Sequence, residues 1–313
     1  MSLPFPFRRG RLPLVRMLMA VCLPALWLCP AASATAAEDG GTIAAASVDG
    51  PSFTRRPRWE LGVGGGAFSG YDYPASDDPN RRALALPFFI YRSPVFRIGD
   101  GGVRAVAIER PRVRLDLSIG GSLNARSEGN GSREGMPDLD FLFELGPQVE
   151  ISLIDRVQGE GRFQVGLAAE LRAVLATDFG GIGAEGFVAE LGVDTALRRV
   201  GGSGVDLLAG IEATFADERL QDYFYEVEPR FATPARPAHD ARAGYLGTEL
   251  FLGAAIRPLP DVRVFLGVQC GLYGGAANED SPLFETNGNT GFALGAVWTI
   301  AKSRRLIEVV END

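Results

Sequence analysis

Residues 135–153, GMPDLDFLFELGPQVEISL, carry the pattern that decides the fold. Apolar residues occupy the odd positions from Leu139 to Leu153, and acids or Gln occupy most of the even positions, among them Asp140, Glu144 and Gln148. A period of two over about fifteen residues is typical of a β-strand, because successive side chains point to opposite faces. The run is long for a soluble protein, in which strands usually have about five or six residues.

The same alternation recurs along the chain, which predicts twelve strands, with ten as the alternative. The predicted strands are 58–68, 83–92, 94–98, 103–109, 112–119, 139–153, 162–175, 187–197, 205–215, 244–257, 261–273 and 290–300. Short turns alternate with longer loops rich in Gly, Asp and Asn at 69–82, 125–137, 176–184, 217–241 and 274–289. An even number of strands with short turns at one end and long loops at the other is the layout of a bacterial outer-membrane barrel.

The predicted fold is therefore all-β, a transmembrane antiparallel β-barrel. In hydrocarbon every backbone polar group needs an internal partner, so a sheet that spans the membrane must close. A soluble β-sandwich is the alternative, but regularly spaced strands of this length are not typical of that fold.

The chain begins with the features of an export signal, so a cleaved signal peptide is predicted over 1–37. Arg8, Arg9, Arg11 and Arg16 precede an apolar stretch, and small residues near Ala34–Ala37 offer a cleavage site. An uncleaved anchor is the alternative, but the apolar run is short for a membrane span. The other predicted segments are a flexible periplasmic lead-in at 38–57, the barrel at 58–300 and a polar C-terminal tail at 301–313.

The charge of the chain limits the classes of partner. Without residues 1–37 the chain has 27 basic and 39 acidic residues, a net charge of −12. Nucleic-acid binding is not expected, because it requires a basic surface. Only Cys270 remains after cleavage, so no internal disulfide can form.

Charged residues are concentrated on the polar face of the strands, which would line the bore. They are Glu60, Arg112, Arg114, Asp116, Asp140, Glu144, Glu150, Arg162, Glu170, Arg172, Glu190, Asp194, Asp206, Glu212, Glu249 and Arg263. We interpret them as a network of paired charges in a narrow bore that side chains largely fill. A small cation-preferring channel is the alternative interpretation.

The sequence offers few residues for catalysis or metal binding. The single histidine, His239, lies in a loop, and no serine is recognisable as its nucleophile, so we predict neither an enzyme nor a cofactor. Asp72, Asp77 and Asp78 are candidates for binding a divalent cation beside lipopolysaccharide phosphates. Asp-Asp-Pro is also an ordinary turn sequence, and we predict no metal site.

Two phrases of the sequence resemble the MipA/OmpV family of MltA-interacting outer-membrane proteins. They are YDYPASDDPNRRALALPFFIYR at 71–92 and GMPDLDFLFELGPQVEISL at 135–153, and the resemblance extends over about 58–300 in order and spacing. Ala75 stands where the family tends to have Gly, and the chain continues past Trp298 and Ile300 instead of ending on an aromatic residue.

The resemblance implies a non-enzymatic scaffold in cell-wall biogenesis that links a lytic transglycosylase to a murein synthase at the outer membrane. The alternative functions are a small channel for uptake and an adhesin. Outer-membrane lipid and lipopolysaccharide are further expected partners. The arginines at the predicted periplasmic end are the candidate partner-binding residues: Arg55, Arg56, Arg110, Arg156, Arg198, Arg199, Arg304 and Arg305.

Overall fold

The computed structural model describes residues 53–92, 96–98, 103–105, 108–110 and 112–310. The predicted signal peptide and most of the predicted lead-in lie outside these residues. Strands make up most of the described chain, as the alternation predicts. No described helix is long and apolar enough to span a membrane.

The strands have these bounds: β1 Phe53–Pro57, β2 Trp59–Tyr71, β3 Pro79–Arg92, β4 Phe96–Ile98, β5 Val103–Ala105, β6 Ile108–Arg110, β7 Val113–Ser122, β8 Phe141–Gln158, β9 Gly161–Thr177, β10 Gly183–Arg198, β11 Val205–Ala216, β12 Gly244–Leu259, β13 Val262–Leu272, β14 Gly288–Lys302 and β15 Leu306–Val310. One α-helix, α1, spans Glu218–Tyr225, and short 3-10 turns lie at Val200–Gly202 and Pro229–Phe231.

Thirteen of these strands form one antiparallel sheet in which neighbours in sequence are neighbours in space. There are two exceptions: β2 pairs with β14, although they are far apart in sequence, and β5 and β6, although consecutive in sequence, lie at the two opposite edges of the sheet. The order runs from β5 through β2, β14 and β8 to β6. β5 at one edge also contacts β7, the neighbour of β6 at the other edge, so the sheet curls round on itself. This curled sheet confirms the predicted β-barrel class.

Ten strands of this sheet have ten or more residues, which is the alternative strand number given by the sequence. The two additional predicted strands, 94–98 and 103–109, correspond to the short strands β4, β5 and β6. Within the described residues, each of these short strands has three residues.

The outer and inner faces of the barrel have the polarity that the sequence predicts. Large apolar side chains at odd-numbered positions, such as Leu145, Leu171 and Leu191, are about half exposed on the outside of the barrel. Their neighbours Glu144 and Arg172 are shielded inside the bore. Cys270 is half-buried and pairs across the sheet with Leu250 and Thr290.

The inner wall differs between its two halves. Charged side chains line β7 to β11, whereas glycine and aromatic residues line much of β12, β13 and β14. The ring of Phe251 covers Gly210 on the neighbouring strand and the ring of Phe265 covers Gly295, and in both places a Cβ would overlap the ring. Glycine therefore lets these rings lie flat against the wall.

A separate two-stranded ribbon continues the pairing of β2 with β14 beyond the short-turn end of the barrel. β1 pairs antiparallel with β15, from Phe53 opposite Val310 to Pro57 opposite Leu306. The backbone hydrogen bond from Arg58 N to Arg305 O, 2.9 Å long, joins the ribbon to the barrel. Parts of the predicted lead-in and tail are therefore paired strands.

Candidate functional site

A layer of charged side chains lines the bore on β8, β9, β10 and β11. The Nε of Arg172 donates to Glu144 Oε2 at 2.8 Å, and its two Nη atoms ion-pair with Glu170 and Glu190. The carboxylates of Glu170, Glu190 and Glu212 all lie within 4.8 Å of one another. The guanidinium of Arg172 thus holds the carboxylates of Glu144, Glu170 and Glu190 together. With Glu212 beside them, this part of the wall carries an excess of negative charge.

The inward charges next to this layer are also joined in pairs. Arg114 forms ion pairs with Asp116, at 3.2 Å, and with Glu150. Ser118 Oγ donates to Glu170 Oε2 at 2.5 Å, and Gln269 hydrogen-bonds Glu249. The predicted network of paired charges therefore exists along this wall. Ser118 binds a carboxylate and is not a partner of the histidine.

Arginines gather where the bore reaches the short-turn end. Asp206 Oδ2 lies 3.7–3.8 Å from guanidinium nitrogens of Arg198, Arg257 and Arg263. The backbone N–H of Arg199 donates to Asp206 Oδ1 at 3.0 Å. One buried carboxylate therefore organises several cations at this mouth. Arg257 belongs to this group and is not among the arginines predicted to bind a partner.

The structure places the predicted partner-binding arginines at this same end of the barrel. Arg55 and Arg56 lie on β1, Arg110 on β6, Arg156 near the end of β8, Arg198 at the end of β10, Arg199 between β10 and β11, and Arg304 and Arg305 between β14 and β15. The side chains of Arg156, Arg199, Arg304 and Arg305 are exposed. These four are therefore accessible to a partner at the short-turn end.

The long loops at the opposite end fold together into a single structure, which we call the cap and define as residues 72–78, 123–140, 217–243 and 273–287. Its apolar core joins loop residues to inward-facing residues of the barrel wall. The loop residues are Tyr73, Ala125, Leu139, Leu220, Phe224, Tyr225, Val227, Ala241 and Leu283, and the wall residues are Leu142, Val174, Ala176, Val188, Ala216 and Leu246. The cap therefore enters the mouth of the barrel and fills it on this side.

Two buried tyrosines tie separate loops of the cap together. Tyr73 OH donates to Leu283 O at 2.8 Å, and Tyr225 OH donates to Pro74 O at 2.7 Å. Burial raises the pKa of both phenols, so they stay protonated and remain donors. Ser281 Oγ in turn donates to Tyr225 O at 2.7 Å. These bonds connect the first long loop to the last.

Buried polar side chains complete the cap. Asn278, fully buried, donates to Gln221 Oε1 and Arg242 O and accepts from Arg242 N, each at 2.9 Å. The Nη1 of Arg133 donates to Phe224 O at 3.1 Å, and its guanidinium lies 5.7 Å from the ring centroid of Tyr73. The hydrogen bonds of Asn278 and of the Arg133 Nη1 atom join separate loops and favour one arrangement of them, although the Nε of Arg133 has no hydrogen-bond partner among the described residues.

The cap also contacts the other half of the barrel wall. Asn289 Nδ2 on β14 donates to Ser76 O at 3.4 Å, and Asn80 Nδ2 on β3 donates to Asn124 O at 3.4 Å. Ala75, between these contacts, has a φ of 59° and is fully buried. A left-handed φ is cheap only for glycine, so Ala75 carries backbone strain that a glycine at this position would relieve.

The residues considered for catalysis and cation binding are part of the cap. His239 Nε2 lies 3.4 Å from Asn278 Oδ1, and the His239 backbone pairs with Val227. Asp72 accepts from Asn130 Nδ2 at 3.0 Å, and Asp78 accepts from the N–H of Gly131 at 3.1 Å. These hydrogen bonds hold loops to each other, which is a structural use of the residues.

Together, these features define a class of protein. A curled antiparallel sheet with an apolar outer face, a charged inner face and long loops at one end is typical of an outer-membrane β-barrel. A family model described as MltA-interacting protein MipA matches residues 63–300, so the chain belongs to this family, as the two sequence phrases predict. The protein is accordingly located in the outer membrane.

Solved outer-membrane proteins are similar to the chain only at a distance. An outer membrane channel from Pseudomonas putida F1 aligns at a TM-score of 0.42 and 12% identity, over 81% of this chain and 98% of the other. The NanC porin aligns at a TM-score of 0.34 and 10% identity, over 77% of this chain and 100% of the porin. The outer membrane phospholipase A from Escherichia coli aligns at a TM-score of 0.27 and 10% identity, over 78% of this chain and 94% of the phospholipase. No curated protein sequence matches the chain closely enough to serve as a relative.

Proposed function

We propose that the protein is a non-enzymatic scaffold of the outer membrane that holds an MltA-type lytic transglycosylase at its periplasmic end and links it to a murein synthase. The observation that carries the proposal is the gathering of arginines at the short-turn end, in a chain whose family is described as MltA-interacting. Clustered guanidinium groups form forked hydrogen bonds with carboxylates of a partner. An acidic surface of the transglycosylase is the expected counterpart.

The interior of the barrel supports a scaffold better than a wide pore. One mouth is filled by the cap, and Arg172 joins three carboxylates across β8, β9 and β10. A scaffold needs only a rigid anchor in the membrane and an accessible periplasmic surface. The excess of carboxylates favours the alternative of a small cation-preferring channel, which would require the cap to move.

The first prediction concerns orientation: the cap faces the outside of the cell and the short turns face the periplasm. With Cys270→Ala as background, cysteines introduced at Glu128 and Arg230 in the cap are expected to react with an impermeant thiol label on intact cells. Cysteines introduced at Gln158 and Pro260 in the short turns are expected to react only after the outer membrane is permeabilised. Labelling of the short turns on intact cells would reverse the orientation and contradict the scaffold proposal.

The second prediction concerns the arginines. Replacing the exposed Arg156, Arg199, Arg304 and Arg305 together by Gln is expected to weaken the capture of purified MltA by the full-length barrel roughly tenfold, because each exposed charge pair contributes about 0.2–1 kcal/mol. The residual binding should depend less on salt, since fewer charges are left to be screened. Binding isotherms at two ionic strengths measure both effects.

Two controls separate the scaffold from its alternatives. Arg219→Gln, Arg230→Gln and Arg242→Gln together remove similar charge from the cap and should leave capture unchanged. His239→Ala should also leave capture and the envelope phenotype unchanged, because no proton transfer is required of a scaffold. Loss of function in His239→Ala together with unaltered capture in the four-arginine variant would refute the proposal.

A further inference from the structure

The ribbon of β1 and β15 projects from the barrel at the end where we place the partner. Among the described residues it contains two strands and no third, so each strand has one outer edge. An outer edge presents backbone N–H and C=O groups that can pair with another extended chain. The ribbon is therefore a possible point of strand addition, and its two edges differ.

The hydrogen-bond register shows which backbone groups face outward. Arg58 N donates to Arg305 O, and these two residues are opposite each other in the register that continues through Pro57 and Leu306. Hydrogen-bonded and non-hydrogen-bonded pairs alternate in an antiparallel ladder. Two of the non-hydrogen-bonded pairs are therefore Pro57 with Leu306 and Arg55 with Glu308. The backbone groups of these residues point away from the ribbon.

Proline makes the two edges chemically different. Pro57 has no N–H, so the outer edge of β1 is interrupted next to the barrel, and proline at such a position is a common device against edge pairing. The outer edge of β15 has an N–H at Leu306, Glu308 and Val310. The sequence of β15, LIEVV, is rich in the β-branched residues that favour strand pairing. β15 is thus the edge that can accept another strand.

The charge of the ribbon indicates what kind of strand it would accept. Segments 53–58 and 302–310 contain six basic residues and one acidic residue, in a chain whose total net charge is −8. Arg304 and Arg305, both exposed, directly precede β15. An extended segment with acidic side chains would meet favourable charge at the point where it begins to pair.

We infer that an extended acidic segment of the periplasmic partner adds as a third strand to the outer edge of β15. This inference rests on the proposed scaffold function and states how the partner is held. Backbone hydrogen bonds would supply the affinity of such an addition, and the flanking arginines would supply its selectivity.

The test uses the full-length barrel in nanodiscs and purified MltA as the probe. Glu308→Pro removes an outward N–H of β15 but leaves the inward ladder with β1 in place, so it is expected to weaken MltA binding roughly tenfold. Glu308→Ala is the matched control, since it changes the side chain alone and should bind like the original protein. Leu306→Pro, opposite Pro57, should act like Glu308→Pro. Hydrogen exchange should show that MltA protects the amides of Leu306, Glu308 and Val310.

The other possible results of this experiment contradict either the strand addition or the scaffold function. If the original protein binds MltA but both proline variants bind equally well and these amides stay unprotected, strand addition is wrong and the scaffold function stands. If the original protein does not bind MltA, the scaffold function itself fails, and this inference fails with it. If the amides are protected in proportion to protein concentration without MltA, the edge is occupied by a second copy. If protection appears only with anionic lipid vesicles, the ribbon contacts the membrane instead.

Discussion

Replacing Arg172 by Met is expected to lower the free energy of unfolding of the barrel by about 3–5 kcal/mol, because removal of one member of a buried charge network leaves the others uncompensated. Three carboxylates, those of Glu144, Glu170 and Glu190, depend on this guanidinium. The methionine side chain fills similar space, so the loss is electrostatic more than steric. Equilibrium unfolding in urea, in micelles, measures the difference.

Arg162 provides a matched control for this substitution. It is as buried as Arg172, with 8% of each residue exposed, and it donates to Asp155 from Nε at 2.6 Å and from Nη2 at 2.5 Å. Asp155 is 30% exposed, so water can solvate it when the arginine is lost, and Arg162→Met should cost less than Arg172→Met. Adding Glu170→Gln and Glu190→Gln to Arg172→Met should restore part of the stability. Equal losses in the two arginine variants would show that the three-carboxylate arrangement has no special role.

Removing the central part of the cap is expected to convert a poorly conducting barrel into a cation-selective pore. Residues 218–240 contribute Leu220, Phe224 and Tyr225 to the core that fills the mouth. With a short Gly-Ser linker in their place, water would reach a wall lined by carboxylates, and the field of those carboxylates favours cations. We expect single-channel conductance in planar bilayers to rise by roughly an order of magnitude or more, because the apolar core that fills the mouth is lost.

The loop at 178–182 gives a control at the same end of the barrel. It lies outside the cap, so shortening it should leave the conductance as it is. Tyr225→Ala with Leu283→Ala is a milder test that keeps the chain length, and it should produce intermittent openings. A large steady conductance of the unaltered protein would show that the cap does not seal the mouth. An unchanged conductance after the deletion would show that the barrier to ions lies inside the bore, at the charged layer, and not at the cap.

The sequence predicts the barrel and its charged wall well because both depend on local alternation. Glu144, Glu170 and Arg172 are assigned to the bore by parity alone, and the structure joins them there. The described residues of the predicted strands 94–98 and 103–109 are all in strands, namely β4, β5 and β6. Parity cannot show that 53–57 and 306–310 pair, since that contact joins opposite ends of the chain.

The cap is the part of the molecule that the sequence does not predict. Its loops have no periodicity, and its buried contacts join residues far apart, as Asn278 and Gln221 show. α1 is only one element of it, held at its start by Asp217, which accepts from Leu220 N at 3.1 Å. Asp217 is a residue type favoured at the N-cap of a helix, and Glu218 adds an acidic residue in the first turn, so the start of α1 alone carries a recognisable local signal.

The hydrogen bonds between distant loops of the cap also determine the order in which the barrel and the cap form during biogenesis. The bond from Tyr73 to Leu283 spans 210 positions and joins the loop after β2 to the loop before β14. Contacts this distant in sequence form late, because loop-closure entropy opposes them until intervening strands have paired. We therefore expect the newly inserted barrel to pass through a stage in which its strands are paired and its outer mouth is still open. Closure would then be a separate, slower kinetic phase, and a cell that makes this protein would be exposed to a transient leak during each insertion.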